Sequence, residues 1–201
     1  MAHRVLLLRH GDVGEEYRGR YIGISDIPLS AGGVRRVEGM ADLFPRRGSL
    51  LCLCSPLRRC RETAGVVSGV TGLDFAVDPD LREVDFGDWE GRTFDEISEA
   101  FPAEVEKWSA FDGFAFPGGE SVAHFLSRVR RAAERMAKAR EDTVLACTHG
   151  GVIGSLICHF LGIPPRNHLL FAVKPASLTT IELFDGGGML AGLNETGRRR
   201  D

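Results

Sequence analysis

Val5-Leu6-Leu7-Leu8-Arg9-His10-Gly11 and Val144-Leu145-Ala146-Cys147-Thr148-His149-Gly150-Gly151 decide how this chain is read. Each is a short apolar run that ends in a polar residue and is followed by His-Gly. Apolar runs of this length between turn signals read as buried strands. Strands that do not alternate with polar residues belong to a sheet covered on both faces. Ligands of a parallel α/β sheet bind beyond the carboxyl ends of its strands. The two histidines therefore share one crevice if their strands are neighbours. The glycines let the backbone turn and approach a ligand closely, and Gly150 and Gly151 open a helix whose free N–H groups favour an anion.

Working outward, Leu50–Cys54 is a second buried strand and Phe75–Val77 a short one. Ser30 caps a helix carrying Val34, Val37, Met40, Ala41 and Phe44 at helical spacing, and Pro45 ends it. Ser55-Pro56 is a cap followed by proline, opening a helix that runs to about Val70. Thr93-Phe94-Asp95-Glu96 is a capping-box pattern, and Pro102 opens another helix. Ser121–Ala139 is a long amphipathic helix, and Val152–Leu161 an apolar one. Thr179–Phe184 and Met189–Leu193, joined by Asp185-Gly186-Gly187-Gly188, read as a hairpin. The fold class is α/β: a three-layer α/β/α sandwich with a mostly parallel sheet. Residues 1–201 read as one domain, with 93–120 as a small helical cap inserted over the sheet.

The 201 residues are 43% hydrophobic and 26% charged, enough for a single large core. The formal net charge of −3 does not suggest a nucleic-acid binder. The run Val5–Leu8 is too short for a membrane span or a signal-peptide core, so the chain is expected to be cytoplasmic, with no membrane partner. Cys52, Cys54, Cys60, Cys147 and Cys158 are odd in number and lie in apolar segments. They read as buried reduced thiols and not as disulfides or a metal site. The basic residues are mostly arginine, with Lys107, Lys138 and Lys174 the only lysines. Arg198-Arg199-Arg200 reads as an exposed, frayed end.

A third strand end joins the histidines. Leu50–Cys54 leads into Ser55-Pro56-Leu57-Arg58-Arg59, which places Arg58 or Arg59 in the first turn of a helix. Arginine there opposes the helix dipole and makes sense if an anion sits nearby. His3, His124, His159 and His168 have no such setting and read as structural. An esterase oxyanion loop at His149 would require a Gly-x-Ser-x-Gly elbow, and the sequence has none.

Leu8–Gly11, Ser55–Ala64, Leu81–Gly91 and Thr148–Gly151 together resemble the four signature segments of the histidine phosphatase superfamily, the branch of the cofactor-dependent phosphoglycerate mutases. They stand in the family's order from residue 8 to 151. The resemblance implies that His10 is the phosphorylated nucleophile. It implies that Arg9, Arg59, His149 and Gly150 bind the phosphate, and that Glu83 is the proton donor. Arg58 matches a variable position. It implies no cofactor and no metal.

These roles agree with the chemistry. Charge on a phosphoryl group in transfer is met by positioning and electrostatics. Guanidiniums supply bidentate donors and hold down the pKa of His10, a protonated His149 can donate to the same oxygens, and a carboxylic acid protonates the leaving alkoxide. One departure follows His10, where Glu16 stands at a position usually held by Asn.

The cap sets Lys107 against Asp95, Glu96, Glu99, Glu104, Glu106, Asp112 and Glu120, a poor surface for an anionic phosphoglycerate. Phe94, Phe101, Trp108, Phe111, Phe114 and Phe116 suit an apolar or ring-bearing leaving group, or else hold the cap on the sheet. The chain as a whole, with Phe116–Ser121, is most like the α-ribazole phosphatases. The expected partner is a small phosphate ester. A broad-specificity phosphatase, a mutase and a non-catalytic phosphate-binding module are the alternatives.

Overall fold

The computed structural model describes residues 4–45, 48–111 and 113–197. His3, Asp112 and the Arg198–Arg200 tail lie outside these residues. A six-stranded sheet runs in the order β3-β2-β4-β1-β5-β6. Its strands are β1 (Arg4–Arg9), β2 (Leu50–Cys54), β3 (Ala76–Val77), β4 (Thr143–Thr148), β5 (Ser177–Phe184) and β6 (Gly187–Glu195). β1, β2, β3 and β4 run parallel; β5 is antiparallel to both β1 and β6.

Period-two alternation sends the strand side chains to two cores. Val5, Leu7, Val144 and Ala146 lie in one cluster with Val129, Ala133 and Met136 of α5 (Val122–Ala137) and Ile153, Leu156 and Ile157 of α6 (Gly150–Leu161). Leu6, Leu8, Leu145 and Cys147 lie in the other, with Val37 of α1 (Ala31–Glu38) and Ala64 and Val67 of α2 (Arg58–Thr71). This is the expected three-layer sandwich. Each fully buried Leu or Val contributes about 1.5–3 kcal/mol, so the central strands are the best-anchored part of the chain.

The cysteines are free and buried. Burial pushes the Cys52 thiol up to about 11 and that of Cys54 up to about 12. No helix among the described residues is long and apolar enough to cross a membrane.

Several boundaries differ from the sequence reading. α1 stops at Glu38, and residues 41–43 form a separate 3-10 turn, although Met40 and Phe44 still reach the core. Gly39 explains the early stop, because glycine weakens a helix interior. Leu57, not Ser55, is the N-cap of α2. The hairpin turns at Asp185-Gly186, with β6 already begun at Gly187.

Residues 93–120 hold α3 (Phe94–Ala100) and α4 (Pro102–Ala110). The expected capping box at Thr93 and Glu96 is present. Most of the aromatic residues hold the cap on the sheet, the alternative to a substrate-facing wall. Trp89 is fully buried, and the rings of Trp108, Phe114 and Phe116 lie 5.3–6.0 Å from it. Phe111 is also buried, and Phe101 is packed against the same core. Only Phe94, of the six, is largely exposed. The reason is area: a short helix pair can pay its ordering entropy only by burying its large rings.

Candidate active site

β1 and β4 pair in parallel with Arg9 opposite Thr148. The next residue on each strand is therefore a histidine. His10 N–H donates to Thr148 O at 3.0 Å, and the two imidazole centroids lie 5.2 Å apart, edge to face. On the far side of β4, Ser55 N–H donates to Cys147 O at 2.9 Å and brings the start of α2 to the same edge. The three strand ends meet, as the sequence implies.

His10 is buried. Its Nδ1 lies 2.8 Å from Gly11 O. A carbonyl can only accept, so Nδ1 carries the proton and Nε2 of the neutral ring keeps its lone pair. Arg59 Nε donates to that Nε2 at 3.2 Å. Burial pushes the His10 pKa well below the ordinary imidazole value, with Arg59 and then Arg9 adding to the shift. The guanidiniums act in the expected direction, but burial is the larger cause.

Arg59 is also almost wholly buried, whereas Arg58 is exposed and pairs with Glu62 at 2.7 Å. Arg59 Nη1 donates to Ser25 O at 2.9 Å and Nη2 to Gly23 O at 2.7 Å. The Glu90 carboxylate takes the donors of the same loop: Gly23 N–H at 3.1 Å, Ile24 N–H at 2.7 Å and the Ser25 hydroxyl at 2.9 Å. Thr63 Oγ1 accepts from Gly11 N–H at 3.0 Å and donates to Arg59 O at 2.7 Å, tying the nucleophile's loop to α2. Arg9 Nη1 donates to Val173 O. Its Nε is buried and has no hydrogen-bond partner among the described residues. A buried, unpaired cationic donor is costly, and it points to an anion as its partner.

His149 is fully buried, with Nε2 2.7 Å from Ser55 Oγ and 3.4 Å from Cys60 Sγ. Burial and then Arg59, His10 and Arg9 hold its pKa well below the usual value. This direction runs against the protonated His149 that the sequence reading had donating to the phosphoryl oxygens.

Glu83 is buried too. Its Oε2 accepts from Gly151 N–H and its Oε1 from Val84 N–H, both at 3.1 Å. The carboxylate at the start of α6 is thus the protein's own, which corrects the expectation that the Gly151 N–H is free for a ligand. A Cβ on Gly151 would lie 2.7 Å from Glu83 Oε1 and would push that carboxyl aside. Gly150 faces Arg9, where a Cβ would stand 3.3 Å from the guanidinium carbon.

The nearby carboxylates are committed elsewhere. Asp85 accepts from Gly87 N–H at 3.0 Å, and Glu90 serves the Gly23–Ser25 loop. Glu16 is exposed, with its carboxylate lying over Gly14, where a Cβ would meet Oε2 at 2.4 Å. His124 pairs with Glu120 at 2.8 Å, and the His168 ring lies 5.5 Å from that of Phe111. Ser55 and Thr63 escaped the sequence reading as site residues, and Glu90, a rival to Glu83 for the proton donor, holds the Gly23–Ser25 loop instead. Ser55 carried a signal, its position at a strand end, but read as a helix cap. Among the described residues no three His, Cys, Asp or Glu side chains are grouped to hold a metal.

The sequence model of the histidine phosphatase superfamily (branch 1) matches residues 5–196. The chain belongs to this superfamily. Its members are phosphatases or mutases that act through a phosphohistidine, and a hydrolase fits this chain's relatives. A bifunctional protein of Mycobacterium tuberculosis is 37% identical over 201 residues, covering 96% of this chain but 54% of the relative. The chain thus spans about half the length of that relative. The adenosylcobalamin/α-ribazole phosphatase of Escherichia coli is 29% identical over 193 residues, covering 95% of each. The structure of a mycobacterial glucosyl-3-phosphoglycerate phosphatase with VO3 superposes with a TM-score of 0.82 at 31% identity, over 97% of this chain and all of the other.

Proposed function

We propose that residues 5–196 form one phosphatase domain, with 93–120 as its cap, that hydrolyses phosphomonoesters through a phosphohistidine on His10. The observation that carries this reading is the state of His10: buried, its Nδ1–H fixed on Gly11 O, its Nε2 lone pair accepting from Arg59 Nε, and its pKa held down by burial and by the charges of Arg59 and Arg9. His10 Nε2 attacks phosphorus, forming the P–N bond as the ester P–O bond breaks. Glu83 acts as the proton donor to the leaving oxygen. Water then attacks phosphorus, the P–N bond breaks, and the water's proton passes to Glu83. Arg9, Arg59, His149 and Gly150 surround the phosphoryl oxygens. Arg9 Nε gains there the partner it lacks, and the two guanidiniums supply the positive charge that a metal supplies in other phosphatases.

The substrate reading is α-ribazole 5′-phosphate. The E. coli relative, matched nearly end to end, supports it. So does the surface. Exposed Asp95, Glu99 and Glu106 on the cap disfavour a carboxylated leaving group. The segments bound by Arg59 and Arg9 carry exposed apolar residues nearby, Ile24 on one and Leu169 and Leu170 ahead of the other. The test quenches the enzyme during turnover of labelled α-ribazole 5′-phosphate in the presence of a strong chelator. Phosphate on protein that is acid-labile and base-stable, absent in His10→Ala, is expected. An acid-stable adduct or an active His10→Ala overturns the mechanism. A higher kcat/KM for 3-phosphoglycerate than for α-ribazole 5′-phosphate overturns the substrate. Loss of activity in chelator, restored by a divalent metal, overturns metal independence.

A further inference from the structure

Glu83 follows a short 3-10 turn, Pro79–Leu81, and every carbonyl of residues 80–83 is held. Arg128 Nη1 donates to Asp80 O at 3.0 Å and also to Arg82 O. Thr148 Oγ1 donates to Leu81 O at 2.7 Å. Arg128 Nη2 donates to Glu83 O at 2.9 Å. The guanidinium is itself fixed by Glu120, which accepts from Nε and from Nη2, both at 2.8 Å. A guanidinium has five N–H donors, and all five are engaged here.

Arg128 sits on α5 and Glu120 just ahead of it, and each side chain is 1–2% exposed. Neither side chain reaches His10, Arg9, Arg59 or His149 through a hydrogen bond. Their contacts run instead to the backbone under one residue, the carboxyl group that closes over the start of α6. A planar fork that grips three carbonyls at once fixes the direction of a backbone as well as its position, which a lysine's point charge cannot do.

We propose that Arg128, locked by Glu120, is the positioning residue that sets the Glu83 carboxyl against the leaving oxygen of the substrate. This rests on the reading of Glu83 as proton donor. Arg128 touches no reacting atom. Its charge also reaches His149, but Arg128→Lys keeps that charge, so the effect of losing the fork passes through where Glu83 stands and is felt only when the departing group needs a proton. A displacement of about 1 Å at such a group costs on the order of 10²-fold in rate.

The experiment measures leaving-group release in the first turnover, for an alkyl phosphate and for a nitrophenyl phosphate, in wild type, Arg128→Lys, Glu120→Gln, Glu83→Gln and the double variant Arg128→Lys/Glu83→Gln. The first turnover isolates P–O cleavage from the later hydrolysis of phosphohistidine. Arg128→Lys is expected to slow release of the alkoxide by about 10–10²-fold and release of nitrophenolate by less than about threefold. In the Glu83→Gln background it should add little, because the group it positions is gone. Equal losses on both esters, no loss, or an undiminished loss in the double variant overturns the proposal. Equal losses in Glu83→Gln alone overturn the proton-donor reading instead. If Arg128→Lys does not fold, Glu120→Gln carries the same test. It keeps all the donors of Arg128 but loosens their lock, and a loss confined to the alkyl ester is again the expected result, with an equal or absent change overturning the proposal.

Discussion

Two neutral imidazoles in one buried, positively charged pocket leave a measurable mark on stability. His10 and His149 both have folded-state pKa values well below the ordinary 6.5, chiefly through burial and then through Arg59. In the unfolded chain both take up a proton near pH 6.5, and in the folded chain they do not. The unfolded state therefore binds more protons below that pH, and stability falls as pH falls through the unfolded value toward the folded ones. One histidine that stays neutral costs RT ln[(1+10)/(1+0.1)] between pH 7.5 and 5.5, about 1.4 kcal/mol, and the pair about 2.7 kcal/mol. Other groups titrate in the same range, so the signal is a difference. Urea unfolding of wild type, His10→Gln, His149→Gln and the double variant is followed by tryptophan fluorescence at both pH values. Each substitution should remove about 1.4 kcal/mol of acid-induced loss, whatever it does to stability at pH 7.5. Parallel curves for wild type and the double variant would refute the claim that these rings are buried in neutral form.

Two further outcomes follow from the hydrogen bonds. Thr63→Val leaves the buried Gly11 N–H without its acceptor and should cost about 1–3 kcal/mol in urea unfolding; an unchanged midpoint would show that the N–H finds another partner. Gly151→Ala sets a methyl 2.7 Å from Glu83 Oε1 and should displace the carboxyl. Alkyl phosphate hydrolysis should fall at least about tenfold in the first turnover with little change for a nitrophenyl ester, and equal changes would mean that the substitution acts on the helix start instead.

The part of the fold legible in the sequence was the part fixed by unbroken apolar runs. Val5–Leu8, Leu50–Cys54 and Val144–Cys147 are too apolar to lie anywhere but in a sheet covered on both sides, and the polar residues that end them mark the edge where His10, His149 and Arg59 gather. Helix starts were less legible at Ser55, because a hydroxyl that can cap a helix can equally serve a buried imidazole, and only tertiary neighbours decide between them. The downward shift at His149 was not legible for a related reason: burial and the net charge around a ring have no local spelling. The cap aromatics carried two readings, and the need of short helices for buried area selected the one with less bearing on substrate. Arg128 drew no reading and Glu120 counted only among the acidic residues of the cap, since nothing in their own neighbourhood announces the carbonyls of residues 80–83.

The pairing of β1 with β4 has a consequence for how this protein can change length. His10 and His149 are far apart in the chain, yet their separation in space is set by backbone hydrogen bonds in a fixed register, Arg9 opposite Thr148. Adding or removing one residue inside either strand would turn its side chains to the opposite face and shift one imidazole out of line with the other. The helices α3 and α4 lie outside this ladder. Insertions between α3 and α4 leave both histidines where the ladder holds them, so the chain can be lengthened there without resetting the distance between the two imidazoles.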